Sequence, residues 1–120
     1  MSIKAFRGAT MLKENNSIEM KDAVIELLNS ILKNNEIDRD DLISIIFTAT
    51  KDINCAFPAA AAREIGLGDV PLLCSQEIDV KDAPQKVVRI LIHANSNLDR
   101  KNIQHIYLRG AEVLRQDLAQ

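Results

Sequence analysis

Residues Leu42 to Thr50 read Leu-Ile-Ser-Ile-Ile-Phe-Thr-Ala-Thr. The run is β-branched and nearly all apolar, the pattern of a strand covered on both faces. A second run, Gln85 to Ala94, reads as a long strand. It sets Val87, Arg89, Leu91 and His93 on one face and Val88, Ile90, Ile92 and Ala94 on the other. Two strands that are apolar on both sides need cover above and below. That requirement decides the fold class and points beyond the single chain.

The rest of the chain arranges itself around these strands. Ile3 to Thr10 reads as a first strand, with Ile3, Ala5 and Arg7 on one face and Lys4 and Phe6 on the other. Gly8 within it permits a bulge or a close backbone approach. Asn16 is placed to cap a helix, with Glu19 as its capping-box partner three residues on. Met20, Ala23, Val24, Leu27, Leu28, Ile31 and Leu32 then form one helical stripe, closed by Lys33 and Asn34-Asn35. Asp38 to Asp41 is a polar connection with room for one short helical turn. After the loop Lys51 to Cys55, Pro58 starts a short helix, Ala59 to Ala62 propagate it and Gly66 stops it. Val70 to Cys74 is a short strand with Pro71 near its start, which suits a sheet edge. Gln104 to Leu108 is the last strand.

The order β-α-β-α-β-β-β predicts an α+β (α/β-like) fold, a mixed five-stranded sheet with one long and one short helix on one side. One sheet face is then left bare, yet the strands that form it are apolar. Another subunit is its natural cover. With 120 residues the chain has the length of one domain, residues 1–120. Apolar residues make up 47% and charged residues 27%, the balance of a soluble globular protein.

The formal net charge of −2 argues against a general nucleic-acid binder. No apolar run approaches the ~20 residues that span a bilayer. The start Met1-Ser2-Ile3-Lys4-Ala5-Phe6-Arg7 lacks the long apolar segment of a secretory signal, so a cytoplasmic protein is expected.

Cys55 and Cys74 do not make a disulfide framework. His93 and His105 have no cysteine or carboxylate cluster between them, so a structural zinc site is not expected. Four of the arginines sit in unusual places. Arg7 and Arg89 lie inside apolar strands, Arg63 follows four alanines on a short helix, and Arg115 follows Val113-Leu114. Arginine cannot shed its charge, so a buried guanidinium needs an anion, and its planar fork suits carboxylates and phosphates. Either Arg7 and Arg89 pair with Glu77 or Asp79, or several guanidinium groups hold a small anionic ligand. Glu77 lies just beyond a strand end, a common place for binding residues. Tyr107 points opposite to Ile106 and Leu108 on its strand. Cys74, with no histidine near it in sequence, reads better as a small buried hydrophobe than as a nucleophile.

Taken in order, several segments resemble the AroH-type monofunctional chorismate mutases. They are Arg7-Gly8-Ala9-Thr10, Thr48-Ala49-Thr50-Lys51-Asp52, Ala56-Phe57-Pro58-Ala59, Ala62-Arg63-Glu64 and Val70-Pro71-Leu72-Leu73-Cys74, followed by Gln76-Glu77-Ile78-Asp79-Val80, Val88-Arg89-Ile90, His105-Ile106-Tyr107-Leu108 and the run Ala111 to Leu118. The resemblance covers nearly the whole chain, and its specificity lies in the joint order and spacing. It implies a homotrimeric pseudo-α/β barrel with one cleft at each subunit interface. It also implies the Claisen rearrangement of chorismate to prephenate, on the route to phenylalanine and tyrosine. That step needs no nucleophile, metal or cofactor.

The resemblance also implies roles. Arg89 matches the strand arginine that donates to the ether oxygen of the breaking C–O bond. Arg7 matches the arginine on a substrate carboxylate, and Glu77 the carboxylate facing the ring hydroxyl and the partly cationic ring. Tyr107 matches a ring that orients the substrate carboxylate, and Cys74 a side chain near the substrate hydroxyl. Phe57 and Arg63 match residues supplied by the neighbouring subunit, and Leu114 and Arg115 the C-terminal segment over the site. Ala60 stands where some relatives carry a lysine. Two other classes remain to be separated from this one: a trimeric imine deaminase with an interface cleft, and a non-catalytic binder of small carboxylic acids.

Overall fold

The computed structural model describes residues 1–115. The similar segment Gln116 to Leu118 and the tail Ala119-Gln120 lie outside the described residues. Five strands form one mixed sheet: β1 (Ser2–Met11), β2 (Leu42–Ala49), β3 (Leu72–Gln76), β4 (Val87–Ser96) and β5 (Ile106–Leu108). Their order across the sheet is β3-β2-β4-β1-β5. β4 pairs antiparallel with both β1 and β2, while β3 and β5 add in parallel at the two edges. The two strands that read as covered on both faces, β2 and β4, are interior. The strand preceded by Pro71 is an edge, as a residue without an N–H donor requires.

Helices α1 (Ser17–Asn34) and α2 (Ala59–Glu64) pack on one face. Asn16 caps α1 as expected, its Oδ1 accepting from the Ile18 and Glu19 amides at 2.9 Å each. Glu19 departs from the simple capping box. Its carboxylate reaches further back and accepts from the Lys13 amide at 2.6 Å and the Glu14 amide at 3.1 Å. The Asn16 amide is already occupied by the Glu14 carbonyl at 2.9 Å, so the glutamate ties the end of β1's connection to the helix instead. The α1 stripe Met20, Ala23, Val24, Leu27, Leu28 and Ile31 is fully buried against Phe6, Ile45, Phe47, Ile90 and Ile92.

Gly8 serves the close approach and not a bulge. The β1–β4 register runs without a shift. A Cβ at Gly8 would stand 2.7 Å from Ile31 Cδ1 and 3.0 Å from the Ile106 carbonyl oxygen. The bulge lies in β2, where the register with β4 slips between Leu42 and Ser44. Asn35, beyond a helix terminator, is buried. Its amide donates to the Ile31 and Gln104 carbonyls and its Oδ1 accepts from the Gln104 amide at 2.8 Å, which pins the approach to β5 onto α1.

The other sheet face carries no helix. Side chains paired across neighbouring strands share a face. The register therefore lines up Ser75, Thr48, Arg89, Ala9 and Tyr107 in one row across all five strands, and Leu73, Ile46, Leu91 and Arg7 in the next. In the single chain this face is open, and both Leu73 and Ile3 are 61% exposed.

Candidate active site

The two rows converge on a cavity of about 240 Å³ at the β1–β4–β2 centre of the open face. Arg7, Glu77, Arg89, Tyr107 and Arg115 all line it, over a floor of Gly8, Ala9, Ile46, Thr48 and Leu91. Each charged group is brought there by a different element. Arg7 stands on β1 and Arg89 on β4, one row apart. Tyr107 comes from the edge strand β5, opposite Ala9. Glu77 is the first residue after β3, and its amide donates to the Ala49 carbonyl at 2.9 Å, so the chain turns at a fixed point. Arg115 ends a 3-10 turn, Ala111–Arg115, that packs beside β1 and β5.

Glu77 is the pivot of the charges. Its Oε2 accepts from the Thr48 hydroxyl at 2.9 Å and lies 2.8 Å from Arg89 Nε. That Nε contact is an ion pair without a well-aligned hydrogen bond, because the N–H is not aimed along it. Arg89 therefore touches its carboxylate with the inner edge of the guanidinium. Of the arginine–carboxylate pairings that the sequence left open beside an anionic ligand, the one between Arg89 and Glu77 forms. Arg7 has no such pairing: Asp79 instead lies 2.9 Å from Lys51 Nζ, and among the described residues no carboxylate pairs with Arg7. Among the described residues the cavity is thus lined by the guanidinium groups of Arg7, Arg89 and Arg115 and by one carboxylate, Glu77, and guanidinium forks suit an anionic ligand.

Next to Arg7 lies His105, whose Nδ1 accepts from the Arg7 backbone amide at 3.0 Å. Burial holds this imidazole below the usual histidine range, and the Arg7 and Arg115 charges push the same way.

The remaining candidates sit elsewhere in the single chain. Cys74 pairs in register with Phe47, so it turns to the helix side and packs partly buried against the core. It lines a separate cavity with Cys55, Phe57 and Pro58. Phe57 is 71% exposed. Arg63 is exposed on α2, and Leu114 is half-buried beside Arg115 without lining the cavity. His93 is a strand-face histidine as read, 3.3 Å from the Ser44 hydroxyl. Residues passed over as site members are Thr48, which orients Glu77, and His105. Thr48 had a signal in its spacing: it is the polar residue in the apolar β2 run that shares a face with Ser44 and Ile46. The His105 contact crosses 98 positions and leaves no local trace.

The chain matches the family model for chorismate mutase type I over residues 3–118. The chain belongs to the chorismate mutase type I family. Among its relatives, the chorismate mutase AroH of Thermus thermophilus is 38% identical over 97% of this chain and 96% of its own length. The chorismate mutase AroH of Bacillus subtilis (strain 168) is 33% identical over 99% of this chain and 94% of its own. A solved chorismate mutase from Clostridium thermocellum superposes with a TM-score of 0.90 at 44% identity, covering 92% of this chain and 98% of that one. Family and fold agree on a chorismate mutase, and the deaminase and binder alternatives gain no support.

Proposed function

We propose that this chain, as a single domain over residues 1–120, is an isomerase that converts chorismate to prephenate in the cavity of Arg7, Glu77, Arg89 and Tyr107. The observation that carries the reading is the convergence of three guanidinium groups and one carboxylate on one cavity, in a chain of the chorismate mutase type I family. Chorismate is a dianion, and its rearrangement breaks a C–O bond while forming a C–C bond within one molecule. No proton is transferred and no covalent enzyme intermediate forms.

What the reaction asks of a protein is charge and shape. As the C–O bond lengthens, negative charge gathers on the ether oxygen and positive charge spreads over the ring. Arg89 supplies the donor to that oxygen. Its Nε faces Glu77, which leaves the outer nitrogens of the fork for the substrate. Glu77, held by Thr48, faces the ring hydroxyl and the developing cation. Arg7 takes a substrate carboxylate, which Tyr107 orients, and Arg115 belongs with Leu114 to the C-terminal segment over the site. These charges are fixed before the substrate arrives, so they favour the transition state over the ground state. Binding in this cavity also holds the compact reactive conformer.

The reading includes a homotrimer. The uncovered face carries Ile3, Ile46, Leu73 and Leu91, an apolar set suited to burial against another copy. Phe57 and Arg63 lie outside the cavity of their own chain and would complete that of a neighbour. Cys74, on the helix side of β3, shapes the wall near Phe57 and does not attack. No helix among the described residues is long and apolar enough to cross a membrane. A cytoplasmic setting, with no nucleic-acid or membrane partner, fits an enzyme of phenylalanine and tyrosine synthesis.

Incubating the purified protein with chorismate and following loss of its diene absorbance tests the reaction. Loss well above the spontaneous rate, with prephenate as product, is expected. Loss no faster than in buffer would overturn it.

A further inference from the structure

β1 and β5 are joined in parallel, and their ladder begins at Gly8 and Ile106. One position earlier, the Arg7 amide has no backbone acceptor on β5. It donates to His105 Nδ1 at 3.0 Å instead. A side chain thus stands in for a rung of the sheet. The rung lies between the backbone of Arg7, whose guanidinium lines the cavity, and a residue two before Tyr107, which lines it too. An Nδ1 that accepts a hydrogen bond carries no proton, so the geometry defines the neutral imidazole with its proton on Nε2.

We infer that His105 is a positioning residue for the mutase site: its neutral imidazole holds Arg7 and Tyr107 in register, and protonating it releases that register and weakens substrate binding. The inference rests on the proposed mutase function of the same cavity. Protonation would set an Nδ1–H donor against the Arg7 N–H donor, and the rung cannot survive two donors. The charged surroundings favour the neutral form. The groups facing His105 are Lys4 and Arg7 from β1, His93 from β4, Arg100 from the turn before β5, and Arg115 from the C-terminal 3-10 turn. All are cationic or can become so, and no described carboxylate lines the cavity beside the imidazole. The depressed proton affinity of His105 agrees with this set.

The test uses the full chain and measures kcat and KM for chorismate from pH 8 down to pH 5. The parent protein is expected to keep a level kcat while KM rises about fivefold toward the acid end, the size of effect one lost hydrogen bond produces. His105→Asn keeps an acceptor near the Nδ1 position and cannot titrate. It should show near-parent KM at pH 8 and a flat KM below. His105→Ala should show the raised KM at every pH. His93→Asn should leave the parent's acid rise intact. A parent KM that is flat, or that falls as His105 gains its charge, would overturn the inference, as would His105→Ala with parent KM at pH 8.

Nuclear magnetic resonance separates this from the reaction itself. The Arg7 amide shift should move with the same midpoint as the His105 ring in the parent, and not at all in His105→Asn. An Arg7 amide that ignores the His105 titration defeats the inference whatever the enzyme turns over. Conversely, absence of chorismate turnover at pH 8 defeats the mutase reading and leaves the amide titration to decide the His105 contact.

Discussion

The two faces of β4 are built from alternate residues of one strand and live in different worlds. Val88, Ile90, Ile92 and Ala94 are sealed beneath the helices, at most 2% exposed. Arg89, Leu91, His93 and Asn95, one step away along the same backbone, are only half-covered. The helix-side face is finished by the chain's own sequence. The opposite face carries Arg7, Arg89, Tyr107 and a set of aliphatic side chains, and no helix among the described residues covers it. Under the proposed function, stability and chemistry are divided between the two faces, and substitutions should fall into two groups according to which face they strike.

The largest effect is expected at Arg89. Replacing it with lysine keeps the charge but removes the planar fork, so kcat should fall by at least ~10²–10³, the usual cost of losing one such donor. The melting temperature should stay close to the parent's. Turnover within a few-fold of the parent would end the electrostatic role of this residue.

On the sealed face the signs reverse. Phe47→Ala opens a cavity in the middle of the core and should cost about 3–5 kcal/mol of stability by denaturant unfolding. The protein that remains folded should still turn over chorismate at a rate comparable to the parent. Loss of kcat without loss of stability would show that the faces are not separable.

The neighbour's share in the proposed trimer can be tested by complementation. Arg89→Ala in one sample, and Phe57→Ala with Arg63→Ala in another, should each impair every cleft of a homotrimer. Unfolded together and refolded, they should form mixed rings in which some clefts join an intact Arg89 to an intact Phe57–Arg63 pair. Activity beyond the sum of the separate samples is expected. Mixtures that verifiably exchange subunits but stay additive would refute the shared cleft.

Smaller effects follow. Cys74→Ala should keep most of the activity, since the thiol turns to the helix side; complete loss with stoichiometric inactivation by iodoacetamide would return it to a nucleophile's role. The smallest expected effect on kcat is that of pH between about 6 and 9, because no proton moves in the proposed chemistry.

Stability does carry a pH signature. The folded chain resists protonating His105, whose unperturbed value is 6.5, while the unfolded chain does not. The unfolded state therefore binds more protons as pH falls. This contribution is complete above pH 6.5 and is lost as the pH drops through the folded value. Melting temperatures measured from pH 8 to 5 should decline less in His105→Asn than in the parent.

Much of the fold was legible because it rests on local rules. The apolar runs of β2 and β4, the Asn16 cap and the α1 stripe, and the proline before an edge strand each follow from a few neighbouring residues. Glu19 was not legible in full, because its acceptor partners lie in the connection before the helix and depend on how that connection turns back. The odd placement of Arg7 and Arg89 in apolar strands marked the candidate site. Their different fates, one paired with Glu77 and one not, depend on which strand ends at which height.

The sequence by itself determined the elements, their facing and the chemical inventory of the site, since periodicity and side-chain type are properties of short stretches. Only the tertiary structure decided the strand order β3-β2-β4-β1-β5 and with it the register. That register sets Thr48, Arg89, Ala9 and Tyr107 in one row, turns Cys74 away from them, and lets an imidazole replace a rung between β1 and β5. Register between distant strands is fixed by which side chains fill the shared core, a sum over the whole chain that no single segment contains.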